Sequence, residues 1–219
     1  MSVITKETFH FLIQIKLNNN RPWFEKNRPA YEKARAEYLG FVTKLISGIR
    51  KIESIPEKEP GKYIQRIYRD IRFSKDKTPY KSHFSSIIER GAEKRKCPLY
   101  IQIQPGRSMM GGGIWDPAAG TLKMVRQEID YNSAALKKII NAKDFLNYFG
   151  RISGSKLTRP PKGYETDNPQ IELLKFKQLY VERNFEDELV LSPHLIPEIL
   201  KSYKAALPFF QFFDTAMAE

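Results

Sequence analysis

Four stretches in the middle of the chain have the composition of β-strands, and only short connections separate them. Residues 63–73, 84–90, 99–104 and 108–115 are rich in β-branched or aromatic side chains and alternate in polarity. Parallel strands need a crossover connection of about a dozen residues or more, usually a helix, and these connections are too short to supply one. The sequence therefore predicts an antiparallel β-meander in the middle of the chain.

Helical periodicity flanks this region on both sides. Residues 28–52 repeat apolar side chains at spacings of three and four, which predicts one long helix. A shorter helix is expected to begin after Thr5 as its cap and to bury one face, formed by Phe9, Leu12, Ile13 and Leu17. Asp116 and Pro117 predict the start of a third helix. Further helices are expected at about 133–149, 168–176, 193–206 and 208–218, with a strand at 178–184 and a short extended piece at 156–159.

These patterns predict an α+β fold in which helices from both ends of the chain cover the sheet. A chain of 219 residues with 41 % apolar residues is long enough to bury a core. We expect a single domain over residues 1–219, because no long polar linker divides it. That domain would be helical over 1–60, would hold the sheet and a basic motif over 61–115, and would be mostly helical over 116–219.

The chain is basic, and its positive charge is concentrated in one segment. Lys and Arg number 37 against 25 Asp and Glu, which gives a formal net charge of +12. Residues 61–110 hold 12 of these cations and 4 of the carboxylates, an excess of +8. No stretch has the roughly 18 uncharged apolar residues of a membrane span, and one cysteine cannot form an internal disulfide. We expect a cytoplasmic protein that attracts anions and does not enter a membrane.

The segment from Arg66 to Lys81, RIYRDIRFSKDKTPYK, carries six basic and two acidic side chains among apolar residues. In a strand, the period of two would place Arg66 on one face and set Arg69 into a mostly apolar row on the other. A guanidinium there must be paired or reach a cleft, because burying an unpaired charge is costly. Guanidinium and ammonium groups together are typical of phosphate or carboxylate recognition. The predicted ligand-binding residues are Arg66, Arg69, Asp70, Arg72, Lys75, Asp76, Lys77, Tyr80 and Lys81.

Part of this segment resembles a long family signature. Residues Arg66, Arg69-Asp70, Arg72-Phe73, Asp76-Lys77 and Tyr80 match R-x-x-R-D-x-R-F-x-x-x-D-K-x-x-Y, the signature of a widespread family of uncharacterised proteins of about this length. GGGIWDP at 111–117 and RPPKGYETDNP at 159–169 are similar to the family's other motifs, so the resemblance covers most of the chain. It implies one domain with a functional core around residues 66–81. It implies no activity, substrate or catalytic residue, because the family has none established.

Other candidate sites have simpler interpretations. The glycines at 111–113 match neither common phosphate-loop spacing and predict a bulge or close packing. Three scattered histidines lack metal-ligand spacing, so we expect no metal site, and the sequence identifies no cofactor. Cys97 is expected to be inert, and the aromatic residues from Tyr203 to Phe213 to pack inside the protein. The run GAEKRK at 91–96 is predicted to be an exposed hairpin tip.

Three hypotheses for function remain open at this stage. In the first, a basic cleft holds a small anionic ligand, phosphorylated or carboxylated, and acts on it if the protein is an enzyme. The arginines would clamp the anion, the lysines close over it, Asp70 and Asp76 orient the clamp, and Tyr80 donate its hydroxyl. In the second, the same cations bind nucleic acid while Tyr63, Tyr68 and Tyr80 stack on bases. In the third, the motif is a structural ion-pair network and function lies in a protein–protein contact. Four more residues are candidates to join the site: His83, Lys162, Lys175 and Lys177.

Overall fold

The structure is a computed structural model, which describes residues 4–91 and 97–217. Helices are formed by α1 Lys6–Leu17, α2 Arg21–Lys26, α3 Arg28–Ile49, α4 Ala119–Tyr131, α5 Ser133–Ile140, α6 Lys143–Phe149, α7 Ile171–Leu174, α8 Asp187–Val190 and α9 Leu195–Met217. Strands are formed by β1 Phe84–Ile88, β2 Leu99–Ile103, β3 Ser108–Ile114 and β4 Leu179–Phe185. A short 3₁₀ turn covers Pro60–Tyr63.

The strands form one antiparallel sheet in the order β1-β2-β3-β4. The predicted α+β class is confirmed, because the sheet lies in the middle of the chain and helices flank it in sequence on both sides. Gly106 makes the tight turn from β2 to β3 with a φ of +70°, a conformation that glycine adopts without steric cost. The Arg107 amide donates to the Gln104 carbonyl at 2.9 Å and closes that turn. The predicted hairpin tip at 91–96 falls mostly on residues 92–96, which lie outside the described part of the chain.

The chain folds into two compact units. The first runs up to Ile88 and includes Tyr100–Met110 and Asn184–Leu200. The second comprises Glu89–Leu99, Gly111–Arg183 and the chain from Lys201 onward. Within the described residues, no helix combines the length and the apolar character needed to cross a bilayer.

In the first unit, the N-terminal helices pack much as the periodicity predicts. The Thr5 side chain caps α1 by accepting from the Thr8 amide. The buried stripe of α1 differs from the predicted face: Ile13 and Leu17 are exposed, and Phe11 and Ile15 are buried instead. Helix α3 ends at Ile49, three residues before the predicted end at 52.

The strand predicted over 63–73 is wrong. The segment leaves the 3₁₀ turn and makes only isolated antiparallel bridges, Ile64 to Ser86 and Tyr68 to Tyr80. Two features of the chain explain this. Pro79, on the side of the loop opposite the segment, has no amide to donate to a strand partner. The side chains of Asp70 and Asp76 accept hydrogen bonds from nearby backbone amides, which competes with the hydrogen bonds of a regular β-ladder.

Among the helices after β3, three of the predicted boundaries are wrong. Helix α4 begins at Ala119, because Asp116 adopts a φ of +45° and the cap position is Ala118. The predicted helix at 133–149 is divided into α5 and α6 at residues 141–142. The helices predicted at 193–206 and 208–218 are one continuous helix, α9, which contains Pro208. The extended piece at 156–159 is confirmed in part, since Lys156 bridges to Phe176.

Candidate functional site

The basic segment folds back on itself as an irregular hairpin, which we call the basic hairpin and define as residues 67–81. The Arg69 amide donates to the Pro79 carbonyl at 2.9 Å, and the Lys81 amide donates to the Ile67 carbonyl at 2.8 Å. These two bonds hold residues that are distant in sequence opposite one another. The hairpin therefore brings Lys81, its last residue, close to Arg66, which directly precedes its first residue.

Tyr80 anchors the basic hairpin to the helices of the first unit. Its ring is 2 % exposed and stacks on Phe24 at 4.1 Å between centroids, with an interplanar angle of 15°. The Asn19 side chain bonds both backbone groups of Tyr80, accepting from the amide at 3.0 Å and donating to the carbonyl at 2.9 Å. Burial raises the pKa of the Tyr80 hydroxyl. Tyr80 is thus a packing residue in the structure, and its predicted role as a hydroxyl donor stays a prediction.

Arg69 is satisfied inside the hairpin. Its Nη1 donates to Asp76 Oδ2, to Thr78 Oγ1 and, at 3.3 Å, to the Thr78 carbonyl. The amide of Thr78 donates to Asp76 Oδ1 at 2.9 Å. That bond, followed by the bond from Arg69, lowers the pKa of Asp76 to about 2. Arg69 therefore cross-links the two sides of the loop.

Arg72 is paired in the same way with the other acidic residue of the motif. Its Nε donates to Asp70 Oδ1 at 3.0 Å and its Nη2 to Asp70 Oδ2 at 2.7 Å, a bidentate arrangement on an exposed surface. The bond from Arg72 is the main cause of a lowered pKa at Asp70. Lys77 donates to the Ile71 carbonyl at 3.0 Å. Two arginines and one lysine of the predicted site thus have partners within the loop.

The other cations of the predicted site have no such partner. Arg66, Lys75 and Lys81 form no side-chain hydrogen bond or ion pair with any residue that the structure describes. Lys81 is half-buried, and burial, together with the charge of Arg66, lowers its pKa. Arg66 and Lys81 are therefore close enough to repel each other.

A surface depression of about 250 Å³ lies beside Arg66. It is lined by Tyr31, Arg35, Ile64, Gln65, Arg66, Ile67, Tyr68 and Phe84. Arg35 is exposed and, among the described residues, makes no side-chain hydrogen bond or ion pair. We call Arg35, Arg66 and Lys81 the cation cluster. Both of its arginines line the same depression.

Helix α3 contributes two residues to this site that were not predicted. Tyr31 and Arg35 are four residues apart, so they lie on one side of the helix and both reach the depression. That spacing was readable in the sequence, whereas the proximity of Arg35 to Arg66 was not. It depends on the bridge from Ile64 to β1, which was not predicted.

The aromatic residues of the basic segment are not equally available to a partner. Tyr63 and Tyr80 are buried and cannot stack on nucleic-acid bases in this structure. Tyr68 is 47 % exposed, and Phe73, near the tip of the loop, is 96 % exposed. In the strand predicted over 63–73, Phe73 would share the mostly apolar face of Arg69, but no regular strand forms there and Phe73 is not buried.

His83 lies next to this site without carrying charge at neutral pH. Burial, and then the charges of Lys81 and Arg107, lower the pKa of His83 to about 4. The histidine is therefore neutral near pH 7. Lys162, Lys175 and Lys177 belong to the second unit, where Lys175 is paired with Glu172 at 2.9 Å.

The other candidates have structural explanations within the second unit. Side chains at Gly112 and Gly113 would collide with Phe210 and with the backbone of Leu179 respectively, so close packing accounts for these glycines. Burial raises the pKa of the Cys97 thiol, which agrees with the predicted inertness. The aromatic residues of α9 between Tyr203 and Phe213 are buried as predicted. Within the described residues, no group of histidines, cysteines and carboxylates has the arrangement of a metal site.

A buried ion pair in the second unit was not predicted. The Arg90 side chain is 1 % exposed, and its Nη1 donates to Asp214 Oδ2 at 3.0 Å. Its Nε donates to the Tyr203 hydroxyl at 3.0 Å, and its guanidinium lies 5.0 Å from the centre of the Phe210 ring. The arrangement ties the end of α9 to the chain around residue 90.

Comparison with known proteins places the chain in a family. It matches no curated protein and no solved structure. Residues 7–212 match the family described as conserved hypothetical protein (DUF2461), and the matched region contains the whole basic hairpin and the cation cluster. Because the match spans nearly the full length, the chain belongs to this family of conserved hypothetical proteins.

Proposed function

We propose that the protein binds a small anionic ligand, bearing a phosphate or a carboxylate, at the cation cluster. The observation that carries this proposal is that Arg35 and Arg66 line one depression and Lys81 lies close to Arg66, while none of the three forms a hydrogen bond or a contact ion pair with a carboxylate among the described residues. Asp70, whose pKa the charge of Arg66 helps to lower, is bonded by Arg72. Like charges held together in a folded protein repel, and an anion between them removes that cost. Arginine also matches the geometry of phosphate and carboxylate oxygens.

The proposal gives the residues of the motif two different roles. Arg66 and Lys81 bind the ligand, together with Arg35. The pairs formed by Arg69 and Arg72 with their aspartates stiffen the basic hairpin and keep Arg66 and Lys81 in place. Lys75 is exposed and adds positive potential nearby.

The arrangement favours binding over proton transfer. Asp70 and Asp76 have lowered pKa values because each accepts hydrogen bonds from an arginine, so both are weak bases at neutral pH. A small ligand also fits better than a duplex, because the three cations of the cluster lie together and do not form an extended stripe.

Calorimetric titration with inorganic phosphate and with a panel of phosphorylated and carboxylated metabolites tests the proposal. Replacing Arg66 with Gln removes a charge-assisted contact of about 1.5–3 kcal/mol and should weaken binding at least about tenfold, as should Arg35→Gln. Lys44→Gln is the matched control. Lys44 lies on α3 about two and a half turns from Arg35, on the opposite side, and is exposed. Equal weakening by all three variants would indicate a general charge effect and contradict the proposed site.

A further inference from the structure

Tyr68 gives the depression an accessible aromatic wall. Its ring is supported from inside by Tyr80, at 5.3 Å between centroids, and by Phe24, at 6.2 Å. Almost half of its surface nevertheless remains open to solvent. An exposed tyrosine held by two other rings is ready to stack on a planar group without losing further conformational freedom.

The rest of the depression combines apolar and charged residues. Tyr31 and Phe84 contribute further aromatic surface, with ring centroids 6.3 Å apart, and Ile64 and Ile67 are aliphatic. Arg35 and Arg66 supply the positive charge. A ligand complementary to this surface has an anionic group and a flat apolar or aromatic part.

The size of the depression limits the ligand. About 250 Å³ is slightly below the roughly 300–1,000 Å³ typical of sites for drug-sized molecules. It accommodates one ring and one anionic group, with the remainder of the molecule in solvent. A polymer would need several aromatic residues in a row, and Tyr63 and Tyr80 are buried.

We infer that the ligand is an aromatic phosphate of the nucleoside monophosphate class, with its phosphate at Arg35 and Arg66 and its ring stacked on Tyr68. This inference rests on the proposed function and adds the class of ligand. Stacking of a base on an aromatic side chain strengthens binding by about 5- to 150-fold.

Two probes that share a ribose phosphate, one with a base and one without, separate the inference from the proposed function. Adenosine 5′-monophosphate and ribose 5-phosphate carry the same phosphate, and calorimetry on the full-length protein should give at least about fivefold tighter binding for the nucleotide. Equal affinities would overturn the inference and leave the proposed anion site standing. If neither compound binds, the inference fails, and so does the proposal that the site binds a phosphate.

Variants of Tyr68 locate the stacking surface. Tyr68→Leu should reduce the affinity for the nucleotide to that for ribose 5-phosphate and leave the affinity for ribose 5-phosphate unchanged. Tyr68→Phe, which keeps an aromatic ring, should preserve the difference in affinity between the two compounds. Tyr131→Leu is the matched control, because Tyr131 is an exposed tyrosine of the second unit. Circular dichroism melting confirms that each variant is folded. A nucleotide preference that survives Tyr68→Leu would contradict the assignment, and so would tighter binding of a single-stranded 12-nucleotide RNA than of the mononucleotide.

Discussion

Replacement of Arg90 by Met should destabilise the protein strongly. The substitution leaves the Asp214 carboxylate, whose side chain is only 11 % exposed, without its cationic partner. It also removes the donors to the Tyr203 hydroxyl and to the Cys97 carbonyl. Removing one partner of a buried ion pair costs about 3–5 kcal/mol, because the other charge remains buried and uncompensated.

This loss is large compared with the stability of a folded protein. Typical unfolding free energies are about 5–15 kcal/mol. For a chain of this size each kcal/mol lowers the melting temperature by about 2–4 °C, so Arg90→Met should lower it by roughly 6–20 °C. Urea unfolding followed by circular dichroism, together with thermal melting, measures both quantities.

Two comparisons separate the ion pair from a general effect of the substitution. Arg151→Met removes an exposed arginine of the same unit and should change stability by less than about 0.5 kcal/mol. Adding Asp214→Asn to Arg90→Met removes the orphaned charge while keeping an acceptor for the Cys97 amide, so the double variant should be more stable than Arg90→Met alone. The reasoning is refuted if Arg90→Met costs less than about 1 kcal/mol, or if the second substitution brings no recovery.

Three further predictions concern the first unit and the folding of the whole chain. Tyr80→Ala should lower the free energy of unfolding by about 3–5 kcal/mol because Tyr80 is buried, whereas Phe73→Ala at an exposed position should change it by less than about 0.5 kcal/mol. Comparable losses for the two variants in urea unfolding would contradict the structure. The pKa of His83 is about 4 in the folded protein and near 6.5 in the unfolded chain, so on acidification the unfolded chain binds the proton first. The free energy of unfolding should therefore fall by roughly 2–3 kcal/mol from pH 6.5 to pH 4. His83→Gln should remove this pH dependence, and an unchanged pH dependence in that variant would contradict the assignment to His83. Trp23 and Trp115 lie one in each compact unit, so variants that retain only one tryptophan report the unfolding of each unit by fluorescence. If the chain is a single domain as predicted, both variants should have the same urea midpoint, and two distinct midpoints would overturn that prediction.

Regular secondary structure was predictable where one periodicity dominated. The apolar repeat of α3 indicated a helix, and the alternation in β2 indicated a strand whose apolar side is buried, because each pattern matches a single backbone geometry. The segment at 63–73 alternates as well, but the amide missing at Pro79 and the local bonds of Asp70 and Asp76 favour an irregular hairpin. Periodicity measures which side chains could share a face and does not include these competing bonds.

The candidate site was predictable only in part. Arg66 and Lys81 were identified because the cations are dense in that segment. The pairing of Arg69 with Asp76 was anticipated as an alternative but could not be chosen from sequence, because loop geometry decides whether a carboxylate reaches a guanidinium. Arg35 is separated from Arg66 by 31 positions, and no local pattern reports such a tertiary contact.

The ion pair between Arg90 and Asp214 shows the same limit. The partners are 124 positions apart, and each alone looks like an ordinary surface charge in the sequence. Only the packing of α9 brings them together.

A crystal soaked in selenate, a heavier analogue of sulfate, tests the proposed anion site most directly. Anomalous diffraction locates the selenium independently of any assumption about the natural ligand. The account predicts a peak between the guanidinium groups of Arg35 and Arg66, lost in a crystal of the Arg66→Gln variant. Peaks confined to other basic surfaces, or a peak that persists in that variant, would contradict it.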